Sequence, residues 1–197
     1  MNIGIDIDDT IADTYEVMFA CAQKYTVEDL KRSAKIKELE DLTNHFYTRA
    51  MHSWTQEEED KFFEKYYEKI TKETKPFTYA IETLRELQKQ GHKLIFITAR
   101  FEPDYFDVRK TTFDWLEKYK IPYDKVIINP KTKREAAIEN NIDIFIDDSY
   151  SNCKDVSNAG IESWIMNTRC NRSIKDENIT RVYSWPHIKQ IIEERMN

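Results

Sequence analysis

Glycine is nearly absent: the 197-residue chain holds three, beside five prolines and three cysteines. Reversals must therefore rest on Asn, Asp and Pro, as at Asn140-Asn141 and Ile121-Pro122-Tyr123-Asp124. The cysteines, Cys21, Cys153 and Cys170, have neither paired nor metal-binding spacing, and their odd number suits reduced packing thiols. Only its closeness in sequence to the acids at 147–148 sets Cys153 near them. No apolar run approaches the roughly 20 residues that span a bilayer. The N-terminus also lacks the basic region and cleavage site of a signal peptide, so the expected compartment is the cytoplasm. A basic stripe is missing too. The net charge is −6, and cations alternate with acids along segments such as Lys61 to Lys75, which makes nucleic acid a poor partner. Four histidines, His45, His52, His92 and His187, are scattered without ligand spacing. There is no internal repeat.

What is present is enough apolar material, 40% of residues, for one domain with an insert. The apolar runs end abruptly in functional groups. Residues Asn2 to Thr10 read as a buried strand closing on Asp6, Asp8 and Asp9. Clustering three carboxylates costs self-repulsion that a divalent cation would remove. The bland alternative is that Asp9 and Asp13 cap a following helix while Asp6 and Asp8 are solvated. A second run, Lys93 to Ile97, stops at Thr98-Ala99-Arg100, and a third, Asp143 to Ile146, stops at Asp147-Asp148-Ser149. Ligands bind at the carboxyl ends of strands in open parallel sheets, so these three ends converge on one crevice. Pro130-Lys131-Thr132-Lys133-Arg134, which opens a helical pattern over Glu135 to Asn140, supplies cations beside the acids.

Spacing sets the organisation. Between Asp13 and Phe77 no strand is predicted, and apolar residues recur at helical spacing in Tyr15, Met18, Phe19 and Ala22 and in Phe62, Phe63, Tyr66, Tyr67 and Ile70. One crossover needs only one helix, so residues 14–77 form a helical insert, with 1–13 and 78–197 as the α/β core. Thr78 to Gln90 is the crossover helix, closed by Gly91, and Pro103 to Lys120 is another, with Phe106, Phe113, Trp115, Leu116 and Tyr119 as its buried stripe. Further strands are expected at Val126 to Ile128, Ser163 to Met166 and Arg181 to Trp185, with helices at Ser149 to Ala159 and Pro186 to Glu194. The expected fold is an α/β, Rossmann-like parallel sheet with helices on both faces.

The order Asp-x-Asp-x-Thr, strand-Thr, Lys and Asp-Asp resembles the four motifs of the haloacid dehalogenase superfamily of phosphotransferases, over residues 2 to 148. Haloalkanoate dehalogenases lack the second Asp of the first motif, present here as Asp8, so phosphoryl chemistry is the implied activity. The resemblance implies that the insert is a cap governing substrate access. It implies Asp6 as nucleophile, with Mg2+ screening its attack on a phosphate dianion. The hard oxygen ligands would be Asp6, the Asp8 carbonyl and the Asp147-Asp148 pair, with direct ligation by one of the two left open and Asp148 favoured. Asp8 would protonate the leaving oxygen and later take a proton from water, which asks for a raised pKa; its other possible role is to support the metal. Thr10, Thr98 and the Ala99 amide would cradle phosphoryl oxygens, and Lys133 would offset transition-state charge. Lys131 is its rival. Lys133 is chosen because its spacing from Asp147 is similar to that in related nucleotidases and because it opens the helix. Arg100 either holds phosphate or ribose oxygens or pairs with an acid such as Glu102 or Asp104. Asp13 is read as the cap of the first insert helix.

The insert size, Thr98-Ala99-Arg100, Ile146-Asp147-Asp148-Ser149 and Arg181-Val182-Tyr183-Ser184-Trp185 are similar to bacterial members of the type C 5'-nucleotidase group, related to 5'(3')-deoxyribonucleotidases. The implied substrate is a small phosphorylated metabolite, a nucleoside monophosphate, cleaved through an aspartyl-phosphate. Phe19, Tyr47 and Trp54 are candidates to stack on a base, though cap packing is the favoured reading for each. Two alternatives stand beside it: a phosphatase of sugar phosphates or other metabolites, and a non-catalytic nucleotide or phosphate sensor.

Overall fold

The computed structural model describes residues 1–37 and 47–196. Its six strands are β1 (Asn2–Ile5), β2 (Lys93–Thr98), β3 (Lys125–Ile128), β4 (Ile144–Asp147), β5 (Glu162–Met166) and β6 (Thr180–Val182). They form one sheet in the order β3-β2-β1-β4-β5-β6, parallel throughout. β1 therefore lies between β2 and β4, with Ile5 in register with Phe96 on one side and Ile146 on the other. This register brings the three strand ends read from the sequence together.

Strand alternation feeds two cores. Ile3, Ile5, Leu94, Phe96, Ile144 and Ile146 pack on one face against α4 (Ala80–Lys89), α5 (Val108–Lys118) and α8 (Trp185–Met196). Ile95, Ile97 and Phe145 face α6 (Lys133–Glu139) and α7 (Tyr150–Ser157) on the other. Burying each such side chain contributes about 1.5–3 kcal/mol. Gly4 sits where a Cβ would come within 3.1 Å of Ile142 and 3.2 Å of Phe145, so close packing, not a turn, requires glycine there.

Between β1 and β2 run α1 (Thr14–Lys24), one π-helical turn (Tyr25–Asp29), α2 (Tyr47–His52) and α3 (Gln56–Glu73). These helices own a separate apolar cluster of Cys21, Ala22, Tyr25, Trp54, Phe62, Tyr66 and Ile70. A reciprocal capping box, Thr55 with Glu58, starts α3. The chain enters and leaves this layer side by side, since Asp13 N–H donates to Lys75 O (2.8 Å) and Phe77 N–H to Ile11 O (2.8 Å).

Several boundaries differ from expectation for local reasons. α5 begins at Val108, not Pro103, because the Asp107 side chain caps it by accepting from Lys110 N–H (2.8 Å). Phe113 is 40% exposed and not part of the stripe. Trp185 opens α8 and does not end β6. Asp13 occupies the N-cap of α1 without a side-chain capping bond; Asp9 instead accepts from Tyr15 N–H (2.8 Å). Among the described residues, no helix is long and apolar enough to cross a membrane.

Candidate active site

Asp6 follows β1 directly, and its N–H extends the ladder to Ile146 O (2.9 Å). The chain then turns tightly: Ile11 and Ala12 N–H both donate to Ile7 O (2.9 and 2.8 Å), and Asp9 takes a left-handed φ of 55°. Asp has a short polar side chain that tolerates this region better than most. On the neighbouring strand Asp147 ends β4, and from α6 the buried Lys133 reaches both carboxylates, at 2.5 Å to Asp6 Oδ1 and 2.7 Å to Asp147 Oδ2. Thr132 caps α6 by accepting from Glu135 N–H (3.0 Å), which fixes where that lysine projects. Lys131, by contrast, is exposed and pairs with Glu135. The structure thus separates the two lysines.

Asp147 is held from several sides: besides Lys133 it accepts from Ser149 N–H (2.8 Å) and Asn152 Nδ2 (3.2 and 3.3 Å). No sequence signal had singled out Asn152. Asp148 is half-buried, and its carboxylate accepts no hydrogen bond among the described residues. Cys153 is closer to the site than its place in the sequence implies, with its thiol 3.5 Å from Asp147 O.

Asp6, Asp147 and Asp148 each offer an oxygen within 4.8 Å of the others. Burial, opposed by Lys133 but reinforced by Asp147 and Asp8, pushes Asp6 up to about 8. Burial and the charges of Asp147, Asp9 and Asp6 likewise raise Asp148 well above the ordinary carboxylate value. Burial raises Asp9 to about 7. The cluster thus gathers more carboxyl groups than one ammonium can balance once they ionise, and its all-oxygen donor set fits a hard divalent cation such as Mg2+.

Asp8 departs from expectation. Both its oxygens are taken by the buried Arg100, Nε to Oδ2 at 2.8 Å and Nη2 to Oδ1 at 2.9 Å, and Thr14 Oγ1 adds a third bond at 2.8 Å. Burial works to raise Asp8, but the guanidinium outweighs it and holds the carboxyl below its usual value, opposite to the raised pKa expected. Arg100 therefore pairs with Asp8 and not with Glu102, which binds Arg109 (2.6 Å). Thr112 Oγ1 (3.1 Å) and the Trp115 ring (5.8 Å) hold the other side of the guanidinium. Arg100→Lys keeps the charge but loses the planar fork. Losing about 1.5–3 kcal/mol of charged hydrogen bonding should lower Tm by roughly 3–12 °C in a calorimetric scan. A Tm within 1 °C of the parent (about 0.3–0.5 kcal/mol) would show that the fork carries no stability.

Thr98, buried at the end of β2, accepts from Arg100 N–H (3.3 Å), and exposed Ala99 lines a cavity of about 350 Å³ together with Lys133 and Asn152. Thr10 is wholly buried, and its hydroxyl finds no hydrogen-bond partner among the described residues, while its carbonyl accepts from Trp185 Nε1 (3.0 Å). Among the aromatic candidates, Trp54 is core, donating to Thr26 Oγ1 (3.1 Å), and half-buried Phe19 stacks on Tyr15 (5.8 Å). The side chain of Tyr47, and His45 altogether, lie outside the described residues. His52 bonds Thr48 O (2.9 Å) and Gln23 (3.2 Å) within the helical layer.

The model of the family described as "5' nucleotidase, deoxy (Pyrimidine), cytosolic type C protein" matches residues 1–196. The chain is 30% identical over 194 residues to a nucleotidase of Clostridium acetobutylicum, covering 98% of this chain and 94% of that one. A haloacid dehalogenase-like hydrolase of Streptococcus pneumoniae shares the fold at TM-score 0.67 and 15% identity, over 100% of this chain and 98% of that one. A predicted phosphatase of C. acetobutylicum does so at 0.65 and 16%, over 98% of both. The chain is thus an enzyme that belongs to the cytosolic type C 5'-nucleotidase family, and it shares its fold with haloacid dehalogenase-like hydrolases.

Proposed function

We propose that this phosphatase is a Mg2+-dependent phosphomonoesterase of nucleoside monophosphates, deoxyribonucleotides among them, acting through an aspartyl-phosphate on Asp6. The observation that carries this reading is the placement of Asp6 beside Lys133, Asp147 and Asp148 at adjoining strand ends. Asp6, Asp147 or Asp148, and the Asp8 carbonyl would hold Mg2+, which supplies charge screening that lets a carboxylate approach a phosphate dianion. An Asp6 oxygen attacks phosphorus and the ester bond breaks, the leaving oxygen taking a proton from Asp8. Water then attacks phosphorus, gives a proton to Asp8, and the Asp6–phosphorus bond breaks to release phosphate. Lys133 stabilises charge building on the phosphoryl oxygens, and Thr98, the Ala99 amide and Thr10 cradle them. Because the Arg100 pair favours ionised Asp8, donation to the leaving oxygen requires Asp8 to part from Arg100, whereas base action does not.

Residues 14–77 act in this reading as a cap over the crevice, supported by their separate apolar cluster. A cytoplasmic location agrees with the odd number and scattered spacing of Cys21, Cys153 and Cys170. The test is phosphate release from ribo- and deoxyribonucleoside monophosphates, sugar phosphates and an aryl phosphate, with Mg2+ or EDTA. Release concentrated on nucleotides and abolished by EDTA is expected. Activity confined to sugar phosphates would replace the substrate, and binding without release would make the chain a sensor.

A further inference from the structure

The loop after β5 contains none of the strand-end residues, yet it is tied into the site through one amide. Asn171 is 2% exposed and fully hydrogen-bonded. Its Nδ2 donates to Asp148 O and Met166 O (2.7 Å each), and its Oδ1 accepts from Thr168 N–H (3.1 Å) and Arg181 Nη1 (2.8 Å). Arg181, on β6, also donates to Asn167 Oδ1 (3.0 Å), Asn171 O (3.1 Å) and Ile174 O (2.7 Å), so it fastens the loop that carries the amide. The β4–β5 pairing ends at Asp147 and Ile165, and Asn171 bridges the two chains one residue further on.

That bridge falls where it matters. With no side-chain hydrogen bond of its own among the described residues, the Asp148 carboxylate takes its direction from the peptide on which it stands. We propose that Asn171, braced by Arg181, is a positioning residue for Asp148: by holding the Asp148 carbonyl it aims the carboxylate at the Asp6–Asp147 cluster and sets that cluster's affinity for Mg2+. The inference rests on the reading of the cluster as a Mg2+ site. Hydrogen-bond partners beyond the ligands typically change metal affinity 10- to 100-fold.

The experiment is Mg2+ titration calorimetry on the full chain, paired with phosphate release at varied Mg2+ and with KM at saturating Mg2+. The variants are Asn171→Asp, Arg181→Lys and, as a control in the same loop, exposed Arg172→Ala. Asn171→Asp keeps the shape and the acceptor for Arg181 but cannot donate to Asp148. Its added negative charge alone would tighten cation binding, so charge and positioning predict opposite signs. The expected result is Mg2+ affinity weaker by about tenfold or more, with KM at saturating Mg2+ and the circular dichroism spectrum unchanged. Arg181→Lys should weaken it in the same direction, and Arg172→Ala should leave it unchanged. Unchanged or tighter binding in Asn171→Asp overturns the inference; if that variant does not fold, unchanged binding in Arg181→Lys overturns it. A wild-type chain that binds no Mg2+ instead overturns the reading of the cluster, and the inference with it.

Discussion

Asp6→Asn is expected to abolish phosphate release, by at least about 10,000-fold, since removing a covalent nucleophile removes the pathway that the rest of the site serves. The fold should survive the change. Asp6 is buried among Asp147, Asp148 and Asp8 and is already pushed up to about 8, so a neutral amide of the same shape relieves repulsion. The sign follows from the direction of the shift. A carboxyl whose folded pKa exceeds the ordinary 3.8 contributes stability at low pH that is lost as pH rises toward about 8. The metal-free variant should therefore match or exceed the parent in Tm at pH 8, with the gap closing at pH 4. Retained phosphate release would remove Asp6 as nucleophile; a collapsed Tm would make it structural.

Lys133→Met should produce the largest loss of stability. The ammonium is the cation bonded to both Asp6 and Asp147, and removing one partner from a buried ionic cluster costs about 3–5 kcal/mol. For a chain of this size that is a Tm lower by roughly 6–20 °C. Without the ammonium that opposes its upward shift, the buried Asp6 carboxyl holds its proton to still higher pH, so the deficit should widen as pH rises. Mg2+ should raise the variant's Tm more than the parent's, because the ion replaces missing positive charge. Thermal scans at two pH values, with Mg2+ and with EDTA, measure both effects. A deficit independent of pH and Mg2+ would mean that lost packing, not charge, is responsible. Phosphate release should also fall, since the role proposed for Lys133 is to offset charge that develops in the transition state.

The strand ends were legible because each is written locally: a β-branched run that stops at a polar residue marks both the strand and the crevice. Lys133 was legible because a helix start and a charge coincide. Arg100 was not, because its partner Asp8 lies 92 positions away, and nearby Glu102 offered a plausible match that the fold gives to Arg109. The start of α5 turned on one capping aspartate, Asp107, which competes with periodicity extending back to Phe106. Asn171 left no trace at all. An isolated Asn in a polar loop reads as a turn residue, and only the sheet register, which sets Asp148 beside the end of β5, turns it into part of the site.

The paired entry and exit of the helical layer has a consequence for how such a chain diversifies. The backbone bonds between Asp13 and Lys75 and between Phe77 and Ile11 pinch the ends of α1–α3 into one narrow neck, with Trp115 Nε1 bonded to Thr74 O (2.9 Å) beneath it. Loop-closure entropy grows only slowly with length, so whatever is strung beyond such a neck can lengthen, shorten or be exchanged without re-registering a single strand. In the reading of this layer as a cap, substrate choice and phosphoryl chemistry can then drift at independent evolutionary rates within one polypeptide.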